Sequence, residues 1–171
     1  LMIHMFVFYS LILMFFKVNV IEHFKGVSQA LLVAFSTSSS VATIPVTLRC
    51  LIEKLSYKED KVNFIIPIGA TINMDGTALF ECVVVIFIAQ LYGIDLSFIE
   101  QLLILLLALI TSIGVAGIPS ASFVAIIVIL GAVGLPFEAV GIIIGIDRLL
   151  DMLRTSVNVY GDTCCVSIVA K

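Results

Sequence analysis

Long apolar runs interrupted at their centres set the pattern of this chain. Residues 26–48 contain no charge, and their middle is Ser36-Thr37-Ser38-Ser39-Ser40, followed by Pro45. The apolar halves, 27–35 and 41–48 continuing to 55, are each too short to cross a bilayer, which takes roughly 20 residues. Residues 101–137 repeat the arrangement around a centre at 112–122 that holds Gly114, Gly117 and Pro119. Glycine and proline there predict a helix–turn–helix hairpin that enters and leaves by the same side. The competing reading is one long helix kinked at its proline. Backbone exposed at such a tip has to line protein or a water-filled cavity, because lipid cannot satisfy it.

Each predicted hairpin is followed by a full-length segment. The first, 62–92, is interrupted by Asn73-Met74-Asp75-Gly76-Thr77, a set of oxygen donors in which Gly76 is expected to let the backbone leave helical geometry. The second, 137–170, carries Asp147, Asp151, Arg154, Asn158 and Asp162 at steps of 4, 3, 4 and 4, which places them on one helix face. The residues between them (Leu149, Leu150, Met152, Leu153, Val157, Val159) are too apolar for a helix facing water. Charges inside a membrane are costly and face a pathway, a partner or a ligand, so the stripe predicts a solute or ion site.

The predicted organisation is a transmembrane helix at 1–19, a re-entrant hairpin at 24–55, an interrupted transmembrane helix at 62–92, a second re-entrant hairpin at 97–135 and a transmembrane helix at 137–170. The fold class is an all-α membrane protein. Repeated broken helices whose half-helix ends meet near the midplane are the pattern of a secondary transporter. Carbonyls and carboxylates at such a break suit a hard monovalent cation, Na+ before others.

Composition agrees: 61% of residues are hydrophobic and 12% charged, and the mean hydropathy is +1.26, far outside the soluble range. The net charge of −3 adds little, since most charges sit in short loops or in the stripe. Without a basic tract, nucleic acid is not an expected partner. The opening apolar stretch has no basic residues before it and no small-residue cleavage site after it, so it is expected to be a spanning helix of a longer protein rather than a signal peptide. Cys50, Cys82, Cys164 and Cys165 lack metal-ligand spacing and are expected to be small buried residues. No histidine pairs with a nucleophile in sequence, and His4 and His23 are expected to be isolated, so no catalytic residue and no enzymatic activity are expected.

Four motifs in order carry a resemblance: the serine-rich tip before Ile44-Pro45-Val46-Thr47, the Asn73–Thr77 motif, the Gly114-to-Pro119 stretch, and Asp151-Met152-Leu153-Arg154-Thr155-Ser156-Val157-Asn158-Val159-Tyr160-Gly161-Asp162. Together they resemble the dicarboxylate/amino acid:cation symporter family, over its C-terminal part. The resemblance implies Na+-coupled symport of glutamate or aspartate across the cell membrane (inner or plasma membrane), with H+ as the alternative ion. It implies that Arg154 holds the substrate's side-chain carboxylate and Asp151 its amino group, with Thr155, Asn158 and Thr77 completing the contacts. Backbone at Ser40, Ile118 and Ser122 would close over the ligand. One Na+ site would use Gly69, Asn73, Asn158 and Asp162. A second would use Thr71 with backbone at Ser112, Ile113 and Val115, and a third Asn73 and Asp75, completed by a span absent from this chain. The implied partners are the acidic substrate, membrane lipid, the missing N-terminal part and, when complete, two further copies in a homotrimer.

Departures accompany the match. Val41 stands where a third serine is common in the tip, and Val115 where Thr or Ala is common. The arginine that the family places near the first tip or beside Asp151 is absent, with Ser38 and Met152 at those positions and Arg148 the spare cation. Rival readings are a proton-coupled glutamate symporter, a C4-dicarboxylate carrier and a non-functional fragment. A dicarboxylate lacks an amine, and an aspartate at 151 would repel it; a channel would need a continuous polar lining rather than one cluster.

Overall fold

The architecture follows from how this sequence starts, breaks and stops helices. A computed structural model describes residues 1–114 and 122–170. A π-helical turn, His4–Phe8, leads into α1 (Tyr9–Phe15). Then come α2 (Val20–Thr37), α3 (Ser40–Arg49, continued by a π turn at Cys50–Lys54), α4 (Glu59–Ile72) and α5 (Asp75–Leu91). The chain continues through α6 (Phe98–Gly114), α7 (Ser122–Ala132), a 3-10 turn at Phe137–Ala139 and α8 (Val140–Val169). Among the described residues there is no strand, in keeping with an all-α protein.

Caps place the ends. Asn19 accepts hydrogen bonds from the amides of Ile21 and Glu22 at 3.1 and 3.2 Å, starting α2 in the usual N-cap manner. The helix stops at Ser38, which takes a left-handed conformation (φ 51°). Ser39 then caps α3 through the Ala42 amide at 3.2 Å. The serine-rich tip is therefore a C-cap and an N-cap back to back, and α2 and α3 pack against each other. Ser97 and Glu100 form a reciprocal capping box at the head of α6: each side chain accepts from the other's amide, at 2.7 and 3.3 Å.

The break between α4 and α5 falls at Asn73 and Met74, whose ψ angles of 86° and 41° are non-helical. Gly76, expected to provide the flexibility for that break, is instead helical in the first turn of α5. Its role is close approach: a Cβ there would lie 2.9 Å from both the Arg154 carbonyl oxygen and Asn158 Oδ1.

α8 packs against α2, α3, α4 and α5 and joins two cores. One core gathers Leu13, Val27, Leu31, Leu51, Ile66 and Tyr160 around the C-terminal half of α8. The other gathers Val85, Ile88, Ile104, Ile126 and Ile129, with Val140 and Ile143 from the start of α8. The outward faces are apolar as well, as Phe64, Phe98, Ile99 and Ile110 show at 67% exposure or more.

Among the described residues, one helical stretch, Glu59–Leu91 with mean hydropathy 1.8, is long and apolar enough by length and composition to cross a bilayer. α8 has the length, about 45 Å for its 30 residues. Its charged residues lower its hydropathy. The first helix, His4–Phe15, is shorter than the span expected over 1–19.

Candidate functional site

The stripe on α8 is buried along its whole length. Asp147, Asp151, Arg154, Asn158 and Asp162 are all buried, none more than 7% exposed, and each faces a particular partner. Arg154 donates through Nη1 to Asp147 Oδ1 at 3.1 Å and through Nη2 to Asp151 Oδ1 at 2.9 Å. Its guanidinium also lies 4.0 Å above the ring centroid of Phe80 on α5, a cation–π contact. Arg154 Nε and Asp147 Oδ2 are buried with no hydrogen-bond partner among the described residues. The planar fork is thus shared between two carboxylates of its own helix, one turn and two turns back, with Arg154 Nε and Asp147 Oδ2 left over among the described residues.

Lower on the helix, the partners come from other elements. Asn158 accepts the Gly76 amide on Oδ1 at 2.8 Å and donates through Nδ2 to Thr77 Oγ1 at 3.1 Å. It therefore closes the first turn of α5, where helix amides lack intrahelical acceptors. Asp162 Oδ1 accepts from Asn73 Nδ2 at 2.9 Å. Gly69 faces the same carboxylate so closely that any Cβ there would run into it. A cavity of about 500 Å³ opens beside this pair, lined by Tyr9, Gly69, Ile72, Asn73, Gly161 and Asp162 among others.

The expected binding residues fall into three groups. Asp151, Arg154, Thr155, Asn158 and Thr77 are buried together along the α5–α8 contact, and Asn73, Gly69 and Asp162 meet one turn further on. Ser40 and Ser122 are buried at the first turns of α3 and α7, Ser122 with its hydroxyl unpartnered among the described residues. Thr71 is exposed and donates to the Ile68 carbonyl at 2.8 Å, while Ser112 donates within its own helix to Leu109 at 3.1 Å. No hydrogen bond joins these two among the described residues, and Ile113 is exposed. Val115 and Ile118 lie outside the described residues.

Several participants carried no signal in the sequence. Both histidines, expected to be isolated, have partners: His4 Nε2 lies 2.6 Å from Asp75 Oδ2, and His23 Nε2 lies 3.1 Å from Thr163 Oγ1 and 3.8 Å from Cys164 Sγ. Tyr9 also donates to Asp75 Oδ2. Glu81 is fully buried on α5 and accepts from Thr111 at 2.9 Å. Of the cysteines, Cys50 and Cys164 are buried as expected, Cys82 is half-buried and Cys165 is exposed. Arg148 is exposed, next to the buried Asp147. Among the described residues no three His, Cys, Asp or Glu side chains cluster as a metal site. The donors at the break are carboxylate, amide and backbone oxygens, which suit a hard cation rather than a transition metal.

The whole chain, residues 1–171, matches the sodium:dicarboxylate symporter family. It is 52% identical to excitatory amino acid transporter 3 of Mus musculus over 146 residues, 85% of this chain and 28% of the relative. It is 47% identical to an excitatory amino acid transporter of Caenorhabditis elegans over 163 residues, 94% of this chain and 32% of the relative. Against excitatory amino acid transporter 2 of Homo sapiens the identity is 48% over 151 residues, 88% of this chain and 26% of the relative. The chain thus spans about a third or less of the length of these curated relatives, which are transporters and not enzymes.

Proposed function

The chain belongs to the sodium:dicarboxylate symporter family, and we propose that it forms the substrate- and ion-binding part of a Na+-coupled symporter of glutamate and aspartate in the cell membrane. The observation that carries this reading is Arg154, a fully buried guanidinium held between Asp147 and Asp151 one helical turn from Asn158. A buried arginine shared by two carboxylates of its own helix is a poor device for stability alone, because burial costs several kcal/mol per ion. It is a good device for exchanging one of its partners for a carboxylate brought by a ligand.

In this reading the acidic amino acid places its side-chain carboxylate on the Arg154 fork and its ammonium on Asp151. Residues 151 and 154 lie three apart, so their Cβ atoms are about 5–6 Å from each other on one face. Thr155, Asn158 and Thr77 complete the contacts, and Ser40, Ile118 and Ser122 close over the ligand from the two tips. Na+ is held where the α4–α5 break meets α8, by Gly69, Asn73, Asn158 and Asp162. A second ion lies at Asn73 and Asp75, and another near Thr71, Ser112, Ile113 and Val115. The apolar exterior is covered by lipid and by the remainder of a complete, homotrimeric protein.

The test uses the complete protein in proteoliposomes. Aspartate and glutamate uptake should follow an inward Na+ gradient and fail in K+ or choline. Na+ should tighten substrate binding and substrate should tighten Na+ binding, since the coupling is reciprocal. Equal aspartate affinity in Na+ and choline sinks the reading. Uptake driven by an imposed pH gradient without Na+ would support the proton-coupled alternative, and succinate outcompeting aspartate would support the dicarboxylate carrier.

A further inference from the structure

Asp75 has a pattern of partners that the cation-site reading does not by itself explain. Among the described residues, both hydrogen bonds of its side chain fall on one oxygen: Oδ2 is approached by His4 Nε2 at 2.6 Å and by the Tyr9 hydroxyl. The other oxygen, Oδ1, is buried and without a hydrogen-bond partner among the described residues. Each carboxylate oxygen has two acceptor positions, so Oδ2 takes both donors while the acceptor capacity of the buried Oδ1 is left over among the described residues.

The donors are brought together by an irregularity in the first helix. His4 and Tyr9 are five residues apart, which in a regular α-helix turns their side chains well away from one another. Here the His4–Phe8 stretch is a π turn, closed by the Tyr9 amide donating to the His4 carbonyl. That i to i+5 register places the two side chains on the same side, their rings 4.9 Å apart and edge to face. Tyr9 is in turn held by Tyr160 on α8, at 5.7 Å between ring centroids. It also sits against Gly161, at a point that any Cβ would occupy. The same glycine lets Asn73 Nδ2 approach, within 2.8 Å of that Cβ position. One small residue on α8 therefore admits both the phenol that meets Asp75 and the Asn73 amide that meets Asp162.

We propose that His4 and Tyr9 are positioning residues for the cation at Asn73 and Asp75. They grip Oδ2, fix the plane of the carboxylate, and present Oδ1 as the oxygen that meets Na+. Ligating carboxylates are commonly held by such outer partners, whose removal weakens the ion more than the fold. This inference rests on the reading of Asp75 as a cation ligand.

The experiment measures aspartate binding to the complete protein against Na+ concentration, for the unaltered protein and for Tyr9→Phe, Asp75→Asn and the two combined. Tyr9→Phe should raise the Na+ half-saturation by about 10-fold, the lower end of the effect expected from losing an outer partner. Aspartate affinity at saturating Na+ should stay unchanged, an outcome that loosened packing would not produce. The combined variant should be no worse than Asp75→Asn alone. His4→Gln, which keeps an N–H donor, should shift the half-saturation less than His4→Ala and provides a second route should Tyr9→Phe not fold. An unshifted half-saturation in Tyr9→Phe, with Asp75→Asn raised, overturns the clamp and leaves the cation site standing. An unshifted Asp75→Asn overturns both. A Tyr9→Phe effect that persists in full on Asp75→Asn shows that the tyrosine acts elsewhere, and also overturns the clamp.

Discussion

The two halves of α8 carry the same polar stripe in different surroundings. Over residues 140–150 the helix buries Val140, Ile143 and Asp147 and exposes Ile142, Ile144, Ile146, Arg148 and Leu149, an ordinary one-sided helix. Over 154–164 every residue is buried, so the helix is enclosed on all sides by α1 to α5. The polar partners change accordingly. Asp147, in the one-sided upper half, and Asp151 both bond to Arg154, which opens the enclosed stretch of the same helix, whereas Asn158 and Asp162 further along bond to Gly76 and Thr77 on α5 and to Asn73 at the α4–α5 break. Intrahelical partners can be exchanged without moving a helix, and partners on another element cannot. Under the proposed function, ligand exchange belongs to the arginine end and the coupling of helices to the asparagine–aspartate end.

Arg154→Cys tests the first assignment and should give the largest effect. Truncating one member of a buried charge pair costs about 2–5 kcal/mol, so aspartate and glutamate binding should fall on the order of 100-fold or more in the complete protein. Small neutral amino acids such as serine or alanine should still bind, and Asp151→Asn should impair every amino acid. Undiminished aspartate uptake by Arg154→Cys would break the comparison at its upper end. If Arg154 serves only as a structural ion pair, all substrates should be lost together.

Gly76→Ala probes the enclosed end. Its Cβ would meet the Arg154 carbonyl oxygen and Asn158 Oδ1 at 2.9 Å, and α8 backbone cannot swing aside as a long side chain can. The variant should lose about 1–3 kcal/mol, the usual cost of overpacking, seen as a lower thermal unfolding midpoint.

Asp162→Asn sharpens the same end without changing shape. The amide can still meet Asn73, but the charge is gone. At fixed, subsaturating Na+, aspartate binding should weaken by about 10-fold, within the range typical of coupling between sites, although position 162 is not a substrate contact. Unchanged affinity across a Na+ titration would detach Asp162 from the ion.

The smallest effect belongs to Gly145→Ala in the upper half. A Cβ there would have nothing within 4 Å, and alanine in place of a helix-interior glycine should raise stability by about 0.5–1 kcal/mol. A large loss at Gly145 would show that the one-sided half is enclosed in the complete protein.

Much of this was legible in the sequence. Steps of 3 and 4 put the stripe on one face, the serine run marked a turn, and Asn73 to Thr77 marked a break inside an apolar segment, because periodicity and breaker residues act locally. Gly76 departs from its expected role, since a glycine tolerates flexibility and close approach alike and only the neighbouring helix distinguishes the two. Asp147 was visible as part of the stripe but not as a second partner of Arg154, because side-chain direction chooses between residues one and two turns away. His4 and Tyr9 were invisible as partners of Asp75, which lies 71 and 66 residues downstream.

By itself, then, the sequence determined the apolar class, the helical periods, the positions of the tip and the break, and the family. Those follow from composition, spacing and backbone preferences within a few residues of one another. The tertiary structure decided which buried groups meet: Arg154 over Phe80, Asn158 on the Gly76 amide, Asp162 with Asn73, and Asp75 gripped on a single oxygen. Each such contact depends on how whole helices pack and on where a π turn rotates a side chain, and no local pattern in the chain encodes either.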